Sequence, residues 1–489
     1  MRRLARAWLA LLCCGCAVGP NFVRPDRPDA DRYGGEAIPE QVESASGDAV
    51  QRLALGREIA SDWWTLFRSP ELDRVLAKAI AANPTLTAAR ATLVQAREAV
   101  AAARGGLLPE ITGTADASRQ RVAVLRGGRS LNGSPTSNLY SLGLEASYVL
   151  DVFGGVRRTI EQQQALADTQ HYELAAAYLA LTGNTVDQVI AIASLSAQLA
   201  ASEQIVAEDE QNLALVQRKV DAGKAARSDL LTAQTQLASD QTLLPPLRQQ
   251  LAAASHALAV LAGELPAQWT PPDFALADLL LPEEIPVTLP SELVRQRPDI
   301  LAAEARLHAA SAAIGVATAD LFPKLTLSGS IGTQALTTAA LFSSPASAWA
   351  LAGDVAQPIF QGGTLRAQRR AAIAAYDASL ATYQQTVHVG FQQVADLLTA
   401  IAHDRESTDA QRALFDSAHE SLRIQRIGYD AGKSDALRLV DAQRSFQQAT
   451  LGLARAQAQH LQDSAQLVVA LGGGWSDAAI AGKPEGEEL

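Results

Sequence analysis

A single pattern occurs twice along this chain, about two hundred residues apart. Asn83-Pro84 and Pro109 return as Arg297-Pro298 and Pro323, both shifted by 214 (298 − 84 and 323 − 109). The Gly154-Gly155 pair returns as Gly362-Gly363, shifted by 208, and Gly223-Lys224 returns as Gly432-Lys433, shifted by 209. Gln234 and Gly263 map to Gln443 and Gly472 by the same 209. Register kept from the first landmark to the last means two copies of one structural unit, so function is sought in the unit and not in one unique loop.

Within each copy the hydrophobic period changes twice. "LTAARATLVQAREAVAAARGG" after Asn83-Pro84 and "ILAAEARLHAASAAIGVATADLF" after Arg297-Pro298 read as helices. Beyond Pro109 and Pro323 the period becomes two. Tyr140, Leu142, Leu144, Ala146, Tyr148 and Leu150 share one face of a strand, opposite Ser141, Gly143, Glu145, Ser147 and Asp151. Residues 111–120, 324–332 and 349–357 alternate similarly, so each copy supplies one hairpin around a polar loop, near 127–137 and 337–347. Strands of about 9–11 alternating residues suit a tilted membrane strand. A half-exposed soluble sheet has the same alternation.

After each Gly pair comes a long helical stretch. Tyr178, Thr185, Ile192, Leu199, Val206, Leu213 and Val220 recur every seven residues, and Val387, Val394, Ile401, Thr408, Phe415, Leu422 and Tyr429 repeat them at a shift of 209. A seven-residue apolar repeat of this length is a coiled-coil seam. One helix from Gly155 to Gly223 would reach about 100 Å at 1.5 Å per residue. Gly223 and Gly432 permit tight reversals into returning helices at 228–261 and 437–471, with Pro245-Pro246 breaking only the first.

Few aromatics (5%), one Met and abundant Ala, Leu and Gln fit long helices with narrow seams. Arg2, Arg3 and Arg6, the apolar run from Ala7 to Leu12, and Gly15 before Cys16 read as an export signal. Cys16 is then the candidate lipidated residue, although position −3 is Cys13 where bacterial lipoproteins usually carry Leu. All three cysteines lie in this leader, so the mature chain can form no internal disulfide. A formal charge of −11 disfavours nucleic acid. No later window approaches eighteen uninterrupted apolar residues.

The organisation expected is a signal region at 1–16, a tether at 17–60, a first repeat at 61–275, a second repeat at 276–475 and a tail at 476–489. Four membrane strands cannot close, because the smallest bacterial barrels have about eight and an open edge in lipid leaves backbone groups unpaired. Several chains must share one barrel, and a trimer supplies twelve strands. The fold class expected is a mixed α and β membrane protein: a trimeric, shared 12-stranded β-barrel with four strands per chain, continued by a long periplasmic α-helical coiled-coil barrel.

"CAVGPNFVRP", "DWWTLFRSPELDRVL", "NPTLTAARATLVQAR", "LVRQRPDILAAEARLHAA", "FPKLTLSGSIG", "PIFQGG" and "YDAGKSDALRLVDAQRSFQQA" together span essentially the whole mature chain. On these segments the chain resembles the outer-membrane factor, or TolC-like, proteins, in particular the NodT-like lipoprotein branch of RND-type efflux systems. The resemblance implies a homotrimer in outer-membrane lipid of a Gram-negative bacterium, docking to a periplasmic adaptor (membrane fusion) protein and an inner-membrane RND-type pump. It implies a passive conduit for drugs or other small solutes. An exit duct for type I protein secretion remains an alternative within that class, and a purely structural periplasmic coiled-coil lipoprotein outside it.

The two reversals are the candidate channel gate, since the resemblance places the resting closure there. Asp221 and Asp430 repeated around an axis would form repelling carboxylate rings, with Arg218, Arg423 and Arg426 as nearby bases. Tyr429 lies beside them, and Ser434 and Asp435 fall where relatives often carry Asp then Asn. Solvated helix-end charges would look the same. Tyr140, Tyr148, Phe153, Phe322, Trp349 and Phe360 sit near strand ends, as interfacial girdles do. Catalysis, metal and cofactor have no visible seat. The seven histidines are scattered, and Gly428 to Ser434 has three residues between its glycines where a phosphate loop needs four.

Overall fold

The computed structural model describes residues 17–26, 28, 30, 32–33, 41–42, 51–57, 59–121, 125–126, 129–130 and 136–481. The leader with Cys16, much of the expected loop at 127–137 and the tail beyond 481 lie outside them. In chain order the strands are β1 (Gln41–Val42), β2 (Gln51–Leu55), β3 (Glu110–Arg121), β4 (Leu125–Arg126), β5 (Arg129–Ser130), β6 (Thr136–Leu150), β7 (Glu284–Val287), β8 (Lys324–Ala335) and β9 (Ser347–Ala356). The helices are α1 (Pro70–Ala82), α2 (Pro84–Gly105), α3 (Gly155–Asp221), α4 (Arg227–Gln241), α5 (Leu244–Leu261), α6 (Pro290–Gln296), α7 (Pro298–Ala319), α8 (Thr364–Asp430), α9 (Ala436–Ala470) and α10 (Asp477–Ala481). Short 3-10 turns, Trp63–Phe67 among them, join these elements. The repeat is visible in the lengths: α2 and α7 each have 22 residues, and α3 and α8 each have 67.

The chain divides into two compact units. One comprises residues 1–25, 93–170 and 303–383. Its four-stranded sheet runs β3-β6-β8-β9, antiparallel throughout, so the two expected hairpins join through β6 and β8 into one sheet. The segment before it is irregular, as its Pro and Asp content predicts, but it is not a loose tether. Buried Arg158 donates to the carbonyls of Val18 (3.1 Å) and Gly19 (3.3 Å) and to Asn21 Oδ1 (2.8 Å), and pairs with Glu161 at 2.7 Å. Phe22 stacks on His308 at 4.4 Å. One guanidinium thus satisfies backbone carbonyls that no helix or strand would.

The other unit comprises residues 26–92, 171–302 and 384–489. The 17–60 tether expectation fails here too: β2 pairs in parallel with β7, Leu53 opposite Ile285, and both are buried. Gln51 bonds Ser464 at 3.3 Å and His460 at 3.2 Å on α9, and burial pushes the His460 imidazole down to about 4, keeping it neutral. The seven-residue ladders face inward: Tyr178, Thr185, Ile192, Val206, Val387, Val394, Ile401 and Leu422 are all buried. Pro245-Pro246 interrupts the first return helix between α4 and α5, whereas α9 runs unbroken for 35 residues. Helices α3 and α7 do contain windows apolar enough to cross a membrane by composition, which a search for uninterrupted apolar runs overlooks; 44% and 61% of those windows are buried within the protein.

The two copies close by one contact made with different residues. Asn83 Nδ2 donates to the Leu261 carbonyl at 2.9 Å, while Arg297 Nη1 donates to the Ala470 carbonyl at 2.9 Å. Each ties the start of a 22-residue helix to a last-turn carbonyl of the return helix, 209 residues apart (470 − 261). Gly263 and Gly472 make the approach possible. Both have positive φ (75° and 99°), and a Cβ would lie 2.5 Å from the Ala82 oxygen or 3.1 Å from the Gln296 carbonyl carbon. Gly263→Ala and Gly472→Ala should each destabilise by about 1–3 kcal/mol through left-handed strain and overpacking. Gly105→Ala, with open space around it, should be neutral or slightly stabilising. Thermal melts in detergent followed by circular dichroism check all three.

Candidate functional site

The two helical tips have one backbone design. Helix α3 carries Arg218 and Lys219 in its last turn, suited to the negative end of the helix dipole. Gly223 enters the left-handed region at φ 65°, its N–H reaches the Val220 carbonyl at 2.9 Å, and Lys224 N reaches Lys219 O at 2.7 Å. Gly432 repeats this at φ 68°, with Gly432 N to Tyr429 O at 3.0 Å and Lys433 N to Gly428 O at 2.8 Å. These are the glycine-terminated closures that leave few orphan carbonyls. The next helices start with unlike caps. Asp229 reaches back to the Ala226 N–H at 3.1 Å, whereas the Asp435 carboxylate accepts from Arg438 N at 2.9 Å.

Among the described residues, the side chains proposed from sequence do not form one cluster. Asp221 is exposed and accepts from Gln217 Nε2 at 2.8 Å. Arg218 donates to its own helix, Ala214 O, at 3.2 Å. Arg423 grips Glu420 through two bonds of 2.6 and 2.7 Å, and those bonds hold the Glu420 carboxyl below its usual value. Arg426 reaches Glu208 on α3 at 2.8 Å. Arg423 and Arg426 are thus engaged by glutamates, one three residues back on the same face and one on the neighbouring helix, and the expected partner Asp221 by Gln217; the side chain of Asp430 lies outside the described residues. Ser434 donates to Gln425 Oε1 at 2.7 Å, and Asp430 is the last residue of α8.

Contacts between the tips include the Arg426–Glu208 pair and Lys219 Nζ, which lies 4.1 Å from the centroid of the Tyr429 ring. Beneath them Leu422, Leu439 and Ala442 form an apolar cluster flanked by Tyr429 and Phe446. Among the described residues no group of three or more His, Cys, Asp or Glu could hold a metal ion.

The sheet presents a second candidate surface. Antiparallel register places Ile111 opposite Ala146, Leu144 opposite Gly113 and Ile331, and Ile331 opposite Trp349. One face is thus apolar across all four strands, and the other carries Glu145 between Thr112 and Ser330, with Thr326 opposite Asp354. The apolar face is open: Ile111 is 70%, Ile331 63%, Trp349 80% and Leu351 79% exposed. Continuous apolar exposure of this kind marks a surface meant for something other than water. Outer strands β3 and β9 each leave one edge without a partner strand among the described residues.

A long helical hairpin in each half and a sheet that is greasy on one face define a membrane-associated protein of duplicated build. The outer membrane efflux protein family model matches residues 75–264 and 289–473, segments that begin 214 apart and end 209 apart. The chain belongs to that family, and its place is the bacterial outer membrane. It is 34% identical over 475 residues to the pyoverdine export outer membrane protein OpmQ of Pseudomonas putida, covering 96% of each chain. It is 32% identical over 478 residues to outer membrane protein OprJ of Pseudomonas aeruginosa, covering 96% of this chain and 95% of that one. Among solved structures it is similar to the outer-membrane channel OprN, with a TM-score of 0.84 and 28% identity over 94% of this chain and all of that one.

Sequence reading missed the polar interior of the hairpins. Asp209 and Asp404 sit three residues after Val206 and Ile401, inside the apolar ladders, and that break in the pattern is their signal. Asp187, half-buried, accepts from Gln466 at 3.3 Å, and burial pushes its carboxyl up to about 6. Removing either tip contact, by Arg426→Ala or Lys219→Ala, should weaken the tips by about 0.5–1 kcal/mol. Hydrogen exchange should quicken at the ends of α3 and α8, with no change in the melting midpoint of the whole protein.

Proposed function

We propose that this chain is the outer-membrane duct of a tripartite efflux pump, through which an energised partner expels drugs or other small solutes. Three copies contribute four strands each to one twelve-stranded barrel, and their long hairpins continue it as a hollow periplasmic stalk. The observation that carries this reading is the four-stranded sheet with an exposed apolar face and two open edges. Lipid can cover the face but cannot satisfy the edges, so β9 of one copy must meet β3 of the next. The polar face with Glu145, Thr326 and Asp354 then lines the lumen.

The stalk ends at the two Gly-closed tips, where a periplasmic adaptor and an inner-membrane RND-type pump dock. Closure at rest is carried by the tips, with Asp221 and Asp430 around the axis and the Arg426–Glu208 and Lys219–Tyr429 contacts holding neighbouring helix ends together. Cys16, exposed by cleavage of the leader, carries a lipid. Val18 supports this reading: its N–H bonds the Phe153 carbonyl at 3.0 Å, just past the end of β6. The duct is passive, with no chemical step of its own.

Paired cysteines placed along β3 and β9 test the shared barrel. Oxidised outer membranes should yield a covalent species of three chains from at least one register, and a ladder with no trimer in any register would contradict the reading. For closure, Asp221→Ala/Asp430→Ala channels in planar bilayers should show a resting conductance several times that of the parent. An unchanged resting state would remove both aspartates from the gate.

A further inference from the structure

Each helical hairpin contains one buried pair of aspartates, one from each arm. In the first, Asp209 of α3 meets Asp240 of α4, with 3% and 4% of their surfaces exposed. In the second, half-buried Asp404 of α8 meets Asp463 of α9, which is 8% exposed. The placement follows one rule. Asp209 stands 14 residues before Gly223 and Asp404 28 before Gly432, two and four heptads, and their partners stand 17 and 31 residues after those glycines (240 − 223 and 463 − 432). Both pairs are therefore level across their hairpins.

The surroundings supply too few donors. Gln443 Nε2 reaches Asp209 Oδ1 at 3.3 Å, while Gln236 and Gln447 reach the two Asp240 oxygens at 2.7 and 3.2 Å. Asp209 Oδ2 and Asp404 Oδ2 are buried and have no donor at all. The charged groups facing the first pair are Glu208 and Arg426, already paired with one another, and Arg444, which is committed to Gln236 Oε1 at 2.9 Å. Those around the second are Asp187, His403, Arg405, Asp409 and neutral His460; Arg405 and Asp409 face each other at 3.8 Å, and Gln459 Nε2 is the amide that reaches Asp463, at 3.0 Å on Oδ2. Two carboxylates in contact cannot both remain charged in such a setting, and a proton is the donor that the bare oxygens lack.

We propose that each aspartate pair holds one shared proton near neutral pH and acts as a clasp between the arms of its hairpin. Loss of that proton leaves two anions inside the seam and loosens the arms. Burial and the neighbouring carboxyl push Asp209 and Asp404 well above the ordinary carboxylate value. The folded state therefore binds these protons more tightly than the unfolded chain does. Its advantage is complete below about pH 4 and is lost as pH climbs through neutrality. The hairpins should be tightest in acid and loosest in mild alkali, a pH response beyond the conduit reading and independent of what the conduit carries.

Difference infrared spectroscopy on the full chain in detergent tests this. At neutral pH the parent should show a carboxylic C=O band that vanishes by about pH 9. Asp209→Asn and Asp404→Asn should each remove part of it, and Asp240→Asn and Asp463→Asn provide the same test from the other arm. Hydrogen exchange in the hairpins, corrected for intrinsic rate, should accelerate about tenfold between about pH 6 and pH 9, one pKa unit's worth of differential proton binding. The variants should flatten that rise. Absence of the band at neutral pH overturns the proposal, as does a pH response unchanged in the variants. Stability that collapses with a chelator while no carboxylic band is present would show a cation in the proton's place, and overturns it as well.

Discussion

The obligation of every backbone N–H and C=O to find a partner governs this protein. In water an unpaired strand edge is tolerable, because solvent completes it. In hydrocarbon each orphan group costs several kcal/mol, so a sheet can live there only if it closes on itself. Strands β3 and β9 end the sheet of this chain with one open edge each, and the apolar residues between them stand exposed. The proposed closure by copies of the same sheet would satisfy both facts at once.

Duplication extends that logic within the chain. Each half carries a short helix, a 22-residue helix, a strand pair and a 67-residue helix that reverses at a left-handed glycine. The halves are alike in backbone and unlike in chemistry. Asn83 and Arg297 do the same work at the junction of short and returning helices, and Gly263 and Gly472 clear the space for it. The buried aspartates follow one register rule at different heights. Duplication preserved geometry, and side chains diverged wherever another residue could meet the same backbone demand.

Much of this was legible from residues alone. The offsets of 208 to 214, the switch from helical to two-residue period and the seven-residue ladders predicted the strands and long helices closely, because each is a repeated pattern. The parallel pairing of β2 with β7 was not legible: both strands are short, do not alternate cleanly, and β7 contains Pro286. The irregular segment at 17–25 read as loose because its anchor, Arg158, lies 140 positions from Val18 and an arginine looks exposed on paper. Two of the tip arginines meet partners that the sequence does not suggest. Proximity in sequence suggested Asp221 and Asp430, whereas the helix surface offered Glu420 and the neighbouring helix offered Glu208. Asp209 and Asp404 were visible as polar breaks in apolar ladders, yet only packing shows that each faces a second carboxyl.

The number of chains in the particle tests the central claim most directly. Native mass spectrometry of the protein extracted from outer membranes in mild detergent should give the mass of three mature chains, with no stable species of one. A particle holding a single chain, with its sheet edges unpaired and its apolar face still in detergent, would contradict the account.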